Sequence, residues 1–145
     1  MAGMRTCAAK KLNAYFGVAL RTQSAVNDRK GDLHHCQLLT ALFVDADYKR
    51  DGEAETRRKI AALLVPPSLT VTTGGGLHLY WLLSRPLLLK TKDGLSQALQ
   101  LLKSVAAHAD VVDQSVSEPA RILRIPGTLN YKYPTPQPVV WEDPE

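Results

Sequence analysis

The chain has 145 residues, enough for one domain with a buried core and too few for two. Hydrophobic residues make up 45% and charged residues 22%, a globular balance that excludes wholesale disorder. The formal charge of +4 favours an anionic partner without naming one, since enzymes with no nucleic-acid role often carry as much.

Met1–Lys11 is charged and has no apolar h-region, so it does not read as a signal peptide. Asn13–Leu20 is rich in aromatic and aliphatic residues and reads as a strand, with Arg21 at its far end. Thr22–Asp32 is polar and ends in Lys30-Gly31-Asp32, a turn signal. His34, His35 and Cys36 are consecutive, whereas one zinc ion usually takes ligands two or more residues apart, so no metal role is expected of them. Cys7 and Cys36 make no disulfide framework, and a reducing cytoplasm is the expected compartment.

Leu38–Asp47 is a near-continuous apolar run, which reads as a strand buried on both faces. It ends in Asp45 and Asp47, which alternation places on one side at the carboxyl end. Two like charges at the rim of a core are costly unless a cation neutralises them. The residues alone leave two readings open: a divalent-metal site, or a strand end whose acids face solvent.

Lys49–Gly52 breaks the chain, and Glu53–Leu64 reads as a helix. Glu53 and Glu55 lie near its start, as the helix dipole favours, and Ile60, Leu63 and Leu64 form an apolar stripe. Arg57-Arg58-Lys59 reads as the solvated face of that helix. Pro66-Pro67 ends it. Leu69–Thr72 is a short strand, Gly74-Gly75-Gly76 a turn, and Leu77–Leu83 a second strand that Pro86 is expected to end. Asp93–His108 is the clearest helix, with Leu95, Ala98, Leu99, Leu102, Val105 and Ala106 at helical spacing and Thr91 or Asp93 as its cap. A loop from Ala109 to Pro119 carries Asp110, Asp113 and Glu118. Arg121–Ile125 is strand-like, Pro126-Gly127 turns, and Val139–Trp141 in the proline-rich tail reads as an edge strand. No apolar run approaches the ~20 residues of a membrane span, so no membrane contact is expected. Strands interleaved with two good helices predict an α/β or α+β architecture, a mixed or largely antiparallel sheet with helices packed on it.

Two further constellations carry chemistry. Three consecutive glycines permit positive φ and close backbone approach, and their N–H groups can cradle phosphate oxygens; a plain hairpin turn is the alternative. On the strand that follows, Leu77, Leu79, Trp81 and Leu83 share one face, so His78 and Tyr80 share the other. Further on, Asp113 precedes Arg121 and Arg124, and Lys132 follows a turn. Arginine suits bidentate phosphate binding and lysine point-charge neutralisation, although surface cations flanking a short strand would look the same.

Taken in order, these blocks resemble the archaeo-eukaryotic primase superfamily, nearest to the primase–polymerase domains of phages, plasmids and integrated elements. Phe43-Val44-Asp45-Ala46-Asp47 matches its hydrophobic strand ending in Asp-X-Asp, and Gly76-Leu77-His78 matches its Ser-X-His motif with glycine in place of serine. Arg121-Ile-Leu-Arg124 after Asp113 matches its third motif, and Leu123–Lys132 fits the phage-like continuation Leu-Arg-hydrophobic-Pro-Gly-Thr-X-Asn-X-Lys. The match spans roughly residues 13–132.

The resemblance implies a primase-like catalytic core with an RRM-like unit over residues 1–132, and the proline-rich tail reads as an edge strand and C-terminal linker over 133–145. It implies primer synthesis and extension on single-stranded DNA from nucleoside triphosphates, in phage or plasmid replication, with a helicase domain or protein as a possible partner. Asp45, Asp47 and Asp113 would hold two Mg²⁺ or Mn²⁺ ions. The Asp113-to-arginine spacing fits the family pattern better than that of Asp110. His78, the backbone of Gly74, Gly75 and Gly76, and Arg121, Arg124 and Lys132 would bind the nucleotide. With glycine replacing serine, a backbone N–H would stand in for a hydroxyl. The alternatives are a replication module that binds nucleic acid without catalysis, and an Asp-X-Asp glycosyltransferase, which accounts for neither the His78 nor the arginine block.

Overall fold

The computed structural model describes residues 2–25, 31–111 and 118–142. In chain order the elements are α1 (Ala2–Ala9), β1 (Tyr15–Gly17), β2 (Ala19–Arg21), a 3-10 turn (Leu33–His35), β3 (Cys36–Asp47), α2 (Glu53–Ala61), β4 (Leu69–Thr72), β5 (Gly76–Leu88), α3 (Lys92–Ala109), β6 (Ile122–Arg124), β7 (Thr128–Asn130) and β8 (Gln137–Glu142). A six-stranded sheet runs in the order β2-β3-β5-β4-β8-β7, and β1 and β6 form a separate two-stranded ribbon. Every pairing among the described residues is antiparallel. Because β5 lies between β3 and β4 and runs against both, β3-α2-β4 is a split β-α-β unit, the core of the RRM-like arrangement.

The sheet's two faces have different covers. Leu42, Val44 and Ala46 of β3 share a face with their register partners Trp81, Leu79 and Leu77 of β5, and all six are buried. Here α3 packs, with Ala98, Leu102, Ala106 and Ala109 buried at helical spacing. The opposite face carries Phe43 and Asp45 against Tyr80 and His78. Over it lies the β1–β6 ribbon, whose Phe16 stacks on Tyr80 with ring centroids 6.4 Å apart. Removing Leu102, which is fully buried, to alanine would cost about 2–5 kcal/mol.

Local sequence explains most of the boundaries. Thr91 caps α3 by accepting from Gly94 N at 3.1 Å, and Asp110 ends it in the left-handed region, φ 45°. Helix α2 stops at Ala61, earlier than expected, and its buried residue is Thr56, whose hydroxyl donates to Gly52 O at 2.7 Å. Ile60 and Leu63 pack against the core, but Leu64 lies beyond the helix and is 88% exposed, so the apolar stripe is shorter than predicted. The basic triplet is ion-paired: Arg57 with Glu53 and Glu142, Arg58 with Glu55, and Lys59 with Asp51 and Asp110.

Three further expectations need correction. Asn13–Leu20 is two strands, because the chain bends at Val18; Tyr15–Gly17 pairs with β6 and Ala19–Arg21 with β3. Strand β5 does not end at Pro86 but runs to Leu88. Its ladder with β3 shifts register between Leu39 and Ala41, so the proline falls where no ladder hydrogen bond is asked of it. Strand β8 is not an edge: β4 pairs one side and β7 the other, and Val139 is fully buried. Ala2–Ala9, a stretch given no secondary structure from the sequence, is a helix that lies near β7. Among the described residues no helix is long and apolar enough to cross a membrane.

Candidate active site

The carboxyl end of β3, the start of β5, the ribbon strand β6 and the turn after β7 converge on one cleft of about 380 Å³. That lies in the ~300–1,000 Å³ range of small-molecule pockets. Asp45, Asp47, His78, Arg121, Arg124 and Lys132 all line it, together with Gly75 and Gly76. Residues separated by nearly ninety positions are therefore brought to one cleft.

Strand alternation puts Asp45 and Asp47 on the cleft side while Ala46 between them is fully buried under α3. Burial, with Asp47 beside it, raises the Asp45 carboxyl above its usual value, against the lowering influence of Arg121, Arg124 and Lys132. Asp47 is exposed, and its Oδ1 accepts from Lys49 N at 2.9 Å. Arg121 Nη2 reaches to 4.0 Å of Asp45 Oδ2.

His78 faces Asp45 in the ladder, with Nε2 3.7 Å from Asp45 Oδ1. It is buried rather than presented to solvent, and burial, followed by Arg124 and Arg121, lowers it to about 4. The imidazole is therefore neutral near pH 7 and does not neutralise Asp45. Its Nδ1 is buried with no hydrogen-bond partner among the described residues.

The glycine run is shaped mainly by close packing. Gly74 adopts φ 81° and its missing Cβ leaves room for Gln137; it does not line the cleft. A Cβ on Gly75 would collide with the Tyr133 hydroxyl, and one on Gly76 with the carbonyl of Ala46. The turn is tied to β3 by Tyr48 N donating to Gly75 O at 3.0 Å, and closed by Thr73, whose N and hydroxyl both donate to Gly76 O at 3.0 Å.

On the cation wall, Arg124 packs over the Tyr15 ring, 5.0 Å from its centroid, and donates from Nη1 to Asn13 Oδ1 at 2.7 Å. The same oxygen accepts from Tyr131 N at 2.9 Å. Buried Asn130 donates from Nδ2 to Thr73 O at 2.7 Å, and its Oδ1 accepts from Lys132 N at 3.0 Å, so one side chain locks the lysine turn to the glycine turn. Lys132 Nζ lies 5.9 Å from the Tyr133 ring centroid.

Asp113 lies outside the described residues. Asp110, its competitor, does not line the cleft: its carboxylate pairs with Arg50 at 2.9 Å and Lys59 at 3.4 Å, which hold its pKa down. Residue-type reasoning did not single out Asn13, Tyr15, Asn130 or Tyr133. The only signal available for them was the place of Asn130 in the Pro-Gly-Thr-X-Asn-X-Lys run.

The solved structure of the AEP domain (PP-N190) of the primase-polymerase (PrimPol) of cyanophage S-2L superposes on this chain with a TM-score of 0.75. The sequences are 19% identical over the match, which covers 98% of this chain and 68% of that one. No protein-family model and no curated protein matches the sequence. The chain thus has the α+β fold of an AEP domain.

Proposed function

We propose that the cleft catalyses metal-dependent nucleotidyl transfer, making and extending primers on a single-stranded DNA template from nucleoside triphosphates. The observation that carries this reading is the meeting of Asp45 and Asp47 with Arg121, Arg124 and Lys132 in one cleft, on a fold shared with a phage primase-polymerase domain. A carboxylate pair opposite three cations fits a metal–triphosphate complex better than either set fits a neutral ligand.

The donor set fits a divalent cation. Burial and Asp47 disfavour the charged form of Asp45 by more than Arg121, Arg124 and Lys132 favour it, and the adjacent His78 is neutral, so a cation held between the two carboxylates would relieve that cost. Asp45 and Asp47 would hold Mg²⁺ or Mn²⁺, both hard oxygen-seeking ions, and Asp113 is proposed as the third carboxylate for a second ion. Such ions lower the pKa of a primer 3′-hydroxyl and stabilise departing pyrophosphate. Arg124, held over the Tyr15 ring and bonded to Asn13, would offer a fixed guanidinium to phosphate oxygens, and Lys132 a point charge. Arg121 either joins them or orients Asp45. The exposed Tyr15 ring gives a sugar or base a surface to lie against.

Template contact would fall on the basic surface and weaken with salt. A cytoplasmic setting in phage or plasmid replication, with a helicase domain or protein nearby, completes the proposal. The test is incorporation of labelled nucleotide on a single-stranded template with Mn²⁺, comparing the native chain with Asp45→Ala. Loss of product in the variant is expected; undiminished product would overturn the assignment.

A further inference from the structure

We propose that Asp32, His34 and His35 form a second metal site, remote from the cleft, which binds a zinc-class divalent ion. It does not depend on the function proposed for the cleft. One carboxylate oxygen of Asp32 and one ring nitrogen of each histidine all lie within 4.8 Å of one another. Tetrahedral zinc needs such atoms about 3.4 Å apart, a closure that the exposed Asp32 and His34 side chains have room to make.

Three features of the turn favour a ligand role. Asp32 occupies the N-cap of Leu33–His35, where an aspartate ordinarily accepts a backbone N–H, yet its side chain makes no capping bond. The backbone closes the turn without it, with His35 N donating to Asp32 O at 3.0 Å. The tight 3-10 turn also brings consecutive imidazoles to 3.8 Å between centroids, with planes 40° apart, which overcomes the spacing argument against adjacent histidines. Cys36, the third member of the sequence trio, is buried, with Sγ 3.8 Å from Asp32 O, and does not belong to the donor set.

The class of ion follows from the neighbours. Lys90 Nζ lies 3.3 Å from His34 O, and the Arg21 guanidinium covers Gly31. Two bordering cations disfavour ions held by charge alone, such as Mg²⁺ and Ca²⁺, whereas two imidazoles and a carboxylate suit Zn²⁺ or Co²⁺, with water in the fourth position. The site sits at the start of β3, about 30 Å along the strand from Asp45. Since Thr22 N, just after β2, donates to His35 O at 2.9 Å, a bound ion would brace the 3-10 turn that leads into β3, a structural role.

The test is titration with Co²⁺ in millimolar Mg²⁺, followed by visible absorption, with thermal melting in Zn²⁺ alongside. One equivalent of cobalt with the absorption of a low-coordinate nitrogen–oxygen site is expected, together with a higher melting temperature in zinc. His34→Ala and Asp32→Ala, both at exposed positions, should each weaken cobalt binding by about tenfold or more. Asp45→Asn should leave the signal intact, which separates this site from the cleft. Absence of one-to-one binding at micromolar cobalt, binding unchanged by His34→Ala, or loss of the signal in Asp45→Asn would each overturn the proposal.

Discussion

His78 and Asp45 stand opposite each other in the β5–β3 ladder, Nε2 to Oδ1 at 3.7 Å, without forming an ion pair. The imidazole is lowered to about 4 by burial and by Arg124 and Arg121, so at neutral pH it carries no charge to offer the carboxylate. Its contribution is to line the cleft beside the acid.

Replacing His78 with Asn should therefore act through the position of Asp45. Under the metal role proposed for Asp45, nucleotide incorporation is expected to fall about 10–100-fold, as when a side chain packed beside a metal ligand is lost. Circular dichroism should show the fold retained. Full activity in the variant would mean that His78 is only a core residue.

Arg124→Lys keeps the charge but loses the planar group that lies on Tyr15 and donates to Asn13. The KM for nucleotide is expected to rise about tenfold, with kcat changing less. Asn13→Ala should move KM the same way, because one oxygen holds both Arg124 and the Tyr131 backbone. Steady-state kinetics on the two variants checks both statements.

Gly76→Ala tests the close approach of β5 to β3. A Cβ there would meet the Ala46 carbonyl, which is backbone and cannot rotate away. A loss of about 1–3 kcal/mol in urea unfolding is expected. Native stability in this variant would show that the strands can part without cost.

How much of this was legible follows from what each element depends on. Strand β3 and helix α3 could be read because their apolar patterns are local: an unbroken run in one, a 3.6-residue period in the other. The cleft acids, His78 and both arginines could be singled out because their residue types and order are distinctive, and the fold brings them to one cleft. The break at Val18 could not, since it arises from β1 pairing with a strand more than a hundred residues away. For the same reason Asn13, Tyr15 and Tyr133 went unnoticed; each is an ordinary residue until the ribbon folds over the sheet. Pro86 misled because a register shift, invisible in the sequence, removes the hydrogen bond that a proline would break.

Stability should show an acid limb from Glu142. Its carboxyl is held below the usual value chiefly by the hydrogen bond from Arg57, against some desolvation, and with a further bond from the Thr72 hydroxyl. A depressed folded pKa contributes stability that is present above the unfolded value, near 4.5, and is lost as pH falls through the lower folded value. Glu142→Gln should accordingly lower the urea midpoint at neutral pH and converge with the native chain in acid. A difference that persisted unchanged in acid would assign the effect to packing instead.

The central claim is that Asp45 and Asp47 hold a divalent ion together with a nucleotide. Its most direct test is Mn²⁺ binding followed by electron paramagnetic resonance, with and without a non-hydrolysable nucleoside triphosphate. In the native chain nucleotide should tighten Mn²⁺ binding, and in Asp45→Asn/Asp47→Asn that tightening should vanish. Equal tightening in both proteins would contradict the account.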